Sequence, residues 1–247
     1  MGMGSGCFFT ALAGALALAS LEACSSEAAP RTGVDPGSPS AGQGSELNPD
    51  GVPYPAPSGA YGHLARSGST PGSVLKNFKF LGHADGSGAL STVALADYYD
   101  PCNKRYKILH LSVAAVWCEP CNQETSAVVA DRASPEGTLA ADKVVFLQAL
   151  DDGPTEGTPA TVSDLDYWIK SHGSNFTEML DPGLANLGGF FNAASIPWNA
   201  DIDVRTMEML TSSEGWAGDV ATELAPALAA LPNEPSYPIP ASAGCPQ

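Results

Sequence analysis

The stretch Trp117-Cys118-Glu119-Pro120-Cys121 most constrains what this chain can fold into. Two cysteines stand two residues apart, directly after an apolar run that includes Ile108, Leu109, Leu111, Val113 and Val116. A strand that delivers a Cys-x-x-Cys pair to the start of a helix makes a dithiol able to cycle with a disulfide. The helix offers unpaired N–H groups and roughly half a positive charge at its first turn, which stabilises a thiolate there. Cys118, at the helix mouth, is read as the attacking thiol with an exposed sulfur. Cys121, one turn further in, is read as the buried resolving thiol.

Other uses of the pair are weaker. A structural zinc site takes four ligands and commonly two such pairs. Only one pair is present, and His63, His83, His110 and His172 show no ligand spacing. A purely structural disulfide over so short a loop gains little unfolded-state entropy. Charge narrows the partners. With 11 Lys and Arg against 27 Asp and Glu, the net charge of −16 repels phosphate backbones and anionic membrane surfaces alike. Nucleic acid is therefore not an expected partner.

Residues 1–23 read as an export signal. The apolar run from Cys7 to Leu21 is too short to span a bilayer but suits a signal core. Leu21-Glu22-Ala23-Cys24 resembles a bacterial lipobox, with Cys24 as the lipidated residue. It departs from that pattern in Glu22 and in the absence of Lys or Arg before Cys7. Cleavage by an ordinary signal peptidase is the alternative. Residues 24–72 are dominated by Ser, Gly, Pro and Ala, with too few apolar side chains to offset the entropy of ordering. They read as a disordered tether spanning roughly 40 Å, with Tyr54, Tyr61 and His63 near its end read as exposed and packing on the domain as the alternative.

A folded domain is expected over 73–247. Val74 to Leu81 alternates as a first strand, and Ser91 to Tyr99 reads as a short helix. Lys107 to Val116 is nearly all apolar, as in a strand covered on both faces. Glu119 to Arg132 follows as the helix bearing the cysteines. Lys143 to Leu150 is a second buried strand. Thr161 to His172 is a helix, with Ser163 and Asp164 as caps. Phe176 to Leu180 is a strand, and Leu184 to Phe191 is helical in part. Trp198 to Asp203 and Met207 to Thr211 form a hairpin. Trp216 to Leu231 is the last helix, followed by a Pro-rich tail. Strands alternating with helices argue an α/β class.

On Trp-Cys-x-Pro-Cys after a buried strand, the chain resembles the thioredoxin-like superfamily. The Glu-Pro dipeptide is similar to that of its extracytoplasmic TlpA/ResA-type branch of membrane-tethered thiol-disulfide oxidoreductases. The resemblance covers about residues 73 to 231. It implies a thioredoxin fold, a central mixed sheet flanked by helices, with a TlpA-like helix–strand insertion near 134–180. It implies a shielding ring at Trp117 and a cis-proline at Ile196-Pro197 that exposes the Ile196 backbone to a substrate strand. The chain departs from the family where a buried acid often stands six residues before the first cysteine, here Ser112, and where an aromatic often stands at Ala114. Water or Glu119 is the expected substitute for that acid.

Pro120 fits a first helical turn, where its missing N–H costs nothing. Glu119 places a carboxylate beside the thiolate and disfavours it, which makes the couple less oxidising, with a solvent-facing, screened Glu119 that tunes little as the alternative. Cys102 and Cys245 flank the domain, and an exported protein seldom leaves two thiols free. Their pairing is expected, with two isolated cysteines or dimerisation through one of them as the alternatives.

The leading expectation is thus an extracytoplasmic thiol-disulfide oxidoreductase, anchored through Cys24 in the periplasm or at the cell surface. It would be a monomer that reduces protein disulfides through Cys118 and Cys121 without a cofactor or metal. An unidentified reductase or oxidase would partner it, and Ser25 favours the outer membrane. A copper-binding chaperone of the same fold is the first alternative, although its usual Cys-x-x-x-Cys spacing and distal His are not matched. A peroxiredoxin-like site is disfavoured by Leu111 and Ala115. A scaffold lipoprotein with a vestigial redox site is the last.

Overall fold

The structure is a computed structural model that describes residues 46–55, 72–188 and 195–246. Seven strands form one mixed sheet in the order β2-β1-β5-β4-β3-β6-β7. They are β1 (Lys79–His83), β2 (Ser91–Ala94), β3 (Ile108–Ala115), β4 (Val144–Asp152), β5 (Thr177–Leu180), β6 (Trp198–Asp203) and β7 (Glu208–Glu214). The helices are α1 (Glu119–Ala133), α2 (Thr138–Ala141), α3 (Val162–His172) and α4 (Val220–Ala230). β3, β4 and β5 run parallel, while β6 and β7 continue the sheet antiparallel.

Every residue of β3 and β4 is buried, because both faces of the sheet are covered. Period-two alternation sorts their side chains. Leu109, Leu111 and Val113 join Phe80, Tyr99, Met179 and Met209 in one core cluster. Ile108 packs on the opposite face with Val128, Phe146, Phe176 and Leu224, and Ala114 with Leu165, Trp168 and both active cysteines. Burying a large apolar side chain contributes about 1.5–3 kcal/mol, so these layers supply most of the gross stabilisation.

Several boundaries differ from the sequence expectation. β1 begins at Lys79, and Val74 instead makes an isolated bridge to Glu208. Ser91–Ala94 is a strand paired to β1, with only a 3-10 turn (Leu95–Tyr98) behind it. Edge pairing with β1 overrides the weak helical pattern there. α3 is capped by Thr161 rather than Ser163, in a box with Asp164, and closes on Gly173 at φ 63°. α4 starts at Val220 rather than Trp216. Gly215 and Gly218 hold positive φ, and Asp219 caps the helix through the Thr222 N–H. Of 184–191, Leu184 ends a 3-10 turn (Pro182–Leu184), and 189–191 lie outside the described residues.

The segment 46–55, expected within the tether, lies packed on the domain. Tyr54 is 5% exposed, stands edge-on to Tyr99 at 6.0 Å and donates its hydroxyl to the Leu75 carbonyl. Asn48 donates to the Tyr99 carbonyl and accepts from the Asp50 and Val52 N–H groups. Val52 and Tyr54 supply apolar surface that composition averaged over the whole segment conceals. Tyr61, His63, Cys24 and residues 1–23 lie outside the described residues. The tail docks as well. The Tyr237 hydroxyl donates to the Gly72 carbonyl, and Arg205 holds the Pro232 and Asn233 carbonyls. Cys102 and Cys245 are joined by a disulfide across 143 residues of sequence.

Closing so long a loop restricts the unfolded chain strongly. Replacing Cys102 and Cys245 by serine is expected to destabilise the protein by roughly 2–5 kcal/mol in urea unfolding of the oxidised chain. Peptide mapping without reductant should yield a Cys102–Cys245 linked fragment, and a free thiol at Cys245 would refute the pairing.

Candidate active site

β3 ends against Asp152, whose carbonyl accepts the Val116 N–H, and the chain turns into α1. Cys118 is the cap of that helix, and its sulfur accepts the Cys121 N–H at 3.2 Å. Pro120 lies in the first turn, where no N–H is required. The two sulfurs form a disulfide. The Ile196–Pro197 bond is cis and immediately precedes β6, and the Ile196 carbonyl oxygen lies 3.7 Å from the Cys118 sulfur. The motif and the Ile196-Pro197 pair, 78 residues apart, are thus brought together.

The expected exposure of Cys118 is not met. Cys118 is 2% exposed and Cys121 is wholly buried. The disulfide directs the Cys118 sulfur inward along the helix turn, and the Ile196 backbone lies against it. The accessible groups are Trp117, Glu119 and Pro120. Trp117 is 39% exposed and donates its ring N–H to Asp152. Asp152 also accepts the Gly157 N–H, which fixes it as a bracket for the indole.

Glu119 does not substitute for the buried acid. It is exposed and accepts from Gln123. The buried acid on this helix is Glu124, which sequence reasoning missed. It lies three residues after Cys121, so helical spacing puts both on the buried face of α1. The Ser112 hydroxyl donates to one Glu124 oxygen at 2.7 Å, and the Asn199 amide donates to the other at 2.9 Å. Burial pushes Glu124 up to about 7, although His110 and these donors oppose the rise. A carboxylate three residues after Cys121, on the same helix face as Cys121 and Val128, was the available signal.

Glu124 faces a polar row across the sheet. Ser213, Asn199, Ser112, Gln148, Glu178 and His83 are register partners in turn from β7 to β1. Gln148 accepts from Thr125 and Trp168. Burial holds Glu178 well above the usual carboxylate range. Burial also works against a charged His110, but Asp201, 2.8 Å away, together with Glu124 and Glu223, outweighs it and lifts the ring to about 9. Among the described residues, no group of three or more His, Cys, Asp or Glu side chains is arranged to hold a metal ion.

These groups make stability depend on pH. Glu124 binds its proton more tightly when folded, about 7 against an ordinary 4.5, so stability falls as pH rises through that window. His110, at about 9 against 6.5, adds a further fall across the higher window. The melting temperature of the oxidised protein is expected to decline from about pH 4.5 to about pH 9. Glu124→Gln should flatten the lower part of that decline in a calorimetric pH series. An unchanged slope would refute the placement of the proton.

No protein-family model matches this sequence, and no curated protein matches it significantly. Solved structures do match. One, provisionally assigned as the thiol:disulfide interchange protein DsbE of Chlorobium tepidum, is 21% identical with a TM-score of 0.50, over 66% of this chain and 99% of its own. A secreted disulfide oxidoreductase of Mycobacterium tuberculosis is 16% identical with a TM-score of 0.42, over 61% of this chain and 92% of its own. An exposed lipoprotein thioredoxin of Streptococcus pneumoniae is 24% identical with a TM-score of 0.41, over 57% and 90%. At such identities the likeness is one of fold. With its mixed sheet flanked by helices and Cys-x-x-Cys at the end of β3, this chain has the thioredoxin fold.

Proposed function

We propose that this protein is an extracytoplasmic thiol-disulfide oxidoreductase that reduces disulfides of other proteins. The observation that carries the reading is the Cys118–Cys121 disulfide at the tip of α1, set against the Ile196 backbone, with the buried Glu124 three residues further along the same helix. In the reduced enzyme the Cys118 thiolate attacks one sulfur of a substrate disulfide. A Cys118–substrate bond forms, and the other substrate sulfur leaves as a thiolate. Cys121 then gives its proton to Glu124, directly or through a water, and attacks the Cys118 sulfur. The Cys118–Cys121 bond forms, and the second substrate sulfur leaves as a thiolate. The two electrons have passed to the substrate, and a reductase partner must restore the dithiol.

Burial of Cys121 explains why a base is needed. A thiolate in apolar surroundings is costly, so proton loss must be coupled to attack. Strand addition of substrate along Ile196 would deliver the target sulfur to Cys118. The exposed Glu119 carboxylate in the first turn of α1 opposes the helix dipole and supports a reducing couple. Tethering through Cys24 after removal of residues 1–23 completes the reading.

Insulin reduction with a chemical reductant is expected in the wild type and lost in Cys118→Ser. Cys121→Ser should accumulate a mixed disulfide instead. In the reduced protein, iodoacetamide should label Cys118 ahead of Cys121. A Cys118 no faster than Cys121, or an inert wild type that binds copper(I) tightly, would sink the reading. Glu124→Gln should slow turnover by about 10²-fold and abolish the rise of activity with pH through about 7.

A further inference from the structure

Glu124 is one member of a closed set of charges. Asn199, on β6, touches three of them. Its amide NH2 donates to Glu124 at 2.9 Å, and lies within 3.4 Å of Glu223 on α4 and of the Gly215 carbonyl. Facing three oxygens fixes the amide orientation, so its oxygen must be the atom turned toward His110 Nε2, 3.3 Å away. An oxygen there requires a proton on Nε2. The other ring nitrogen, Nδ1, faces an Asp201 carboxylate oxygen at 2.8 Å and requires one too. The hydrogen-bond pattern alone therefore makes His110 an imidazolium, on a strand that is otherwise apolar apart from Ser112. The ring also stacks on Phe146 at 5.0 Å, which holds its plane.

Five titratable groups meet here. They are His110 from β3, Asp201 from β6, Glu124 from α1, Glu223 from α4 and Glu178 from β5, and Cys121 adds a sixth once reduced. The element β4 contributes the neutral Gln148, α3 the neutral Trp168, and β7 the neutral Thr211 and Ser213 together with Glu214, which lines the groove beside Asp201 and Glu223. Asp201 and Glu223 line a surface groove of about 340 Å³ between β7 and α4, so this side of the set reaches solvent. Glu223 is further pinned by Ser213 and the Ala217 N–H.

We propose that His110 is a positioning residue for the exchange reaction. Its imidazolium, held by Asp201 and joined to Glu124 through Asn199, sets how readily Glu124 takes the Cys121 proton, and Glu223 acts in the opposite sense. The cation favours the Glu124 carboxylate and keeps it available as a base. The Glu223 carboxylate repels that charge and raises the hold of Glu124 on its proton. Two opposed charges on one amide bridge place the Glu124 transition near neutral pH, where burial alone would leave the acid protonated. This inference rests on the oxidoreductase reading above.

The test follows Glu124 directly, so it does not depend on turnover. The full chain, oxidised and labelled with carboxyl-13C glutamate, is titrated by NMR, and the Glu124 resonance is assigned by its loss in Glu124→Gln. Wild type should show a midpoint near 7. In His110→Gln it should rise by about one pH unit or more. Asp201→Asn should raise it too, because His110 loses the partner that keeps it charged. Glu223→Gln should lower it. The pH profile of insulin reduction should move in step with each. A shift of opposite sign in Glu223→Gln is a result that loosened packing would not produce. If His110→Gln does not fold, Asp201→Asn and Glu223→Gln decide. An active wild type whose Glu124 midpoint is unmoved in these variants overturns the proposal while leaving the oxidoreductase reading intact. A wild type that reduces no insulin at any pH overturns that reading, and the proposal with it.

Discussion

Polar groups sealed between a sheet and a helix must find partners there or be expelled, and this constraint shapes the whole active end of the molecule. Glu124 carries a carboxyl group into a fully buried layer. Its two oxygens take hydrogen bonds from Ser112 on β3 and Asn199 on β6. Those bonds fix the rotation of α1 over the sheet, and with it the direction in which Cys121 points. An unpartnered buried polar group costs about 1–3 kcal/mol, so slippage of α1 would be penalised at several atoms at once. The helix that presents the cysteines is thus held by polar bonds on its inner face rather than by apolar packing alone.

The packing around this layer has a clear division of labour. One face of the sheet, with Leu109, Leu111, Val113, Tyr99 and the strap 46–55, is almost wholly apolar and closes the domain. The other face carries the charges, and aromatic rings fence them. Phe146 stacks on His110, and Trp168 bonds Gln148. Low dielectric makes every charge in that layer felt by its neighbours. Proton affinity at Glu124 therefore becomes a property of the set rather than of one residue. The cysteines sit at the rim of this layer, where β3 meets α1, so exchange chemistry outside and proton traffic inside share one junction.

Much of this was legible in the chain itself. β3 and α1 announce themselves because an apolar run, a Trp-Cys-x-Pro-Cys motif and a helical stretch follow one another without a break. Ser91–Ala94 was misjudged because a four-residue edge strand has too short a period to separate from a helical turn. Tyr54 was misjudged because a disordered composition and a docked aromatic differ only in whether a complementary surface exists elsewhere. Ser112 looked like a missing acid because the sequence shows which position is vacant, not which other element fills the space. Glu124 fills it from α1, twelve residues on.

The sequence by itself determined the α/β class, the dithiol and its place at a helix start, since these are local patterns of apolar spacing and motif; the thioredoxin class was what the resemblance of Trp-Cys-x-Pro-Cys implied. Tertiary structure alone decided that Cys118 is covered in the oxidised state. It also decided that His110, Asn199, Glu124 and Glu223, drawn from four separate elements, form one charged set. Those facts depend on strand register and helix rotation: a shift of one residue would turn His110 and Asn199 to the opposite face of the sheet and swing Glu124 and Glu223 about 100° around their helices. Local spacing carries no record of such a choice, because it is made only when the layers close on one another.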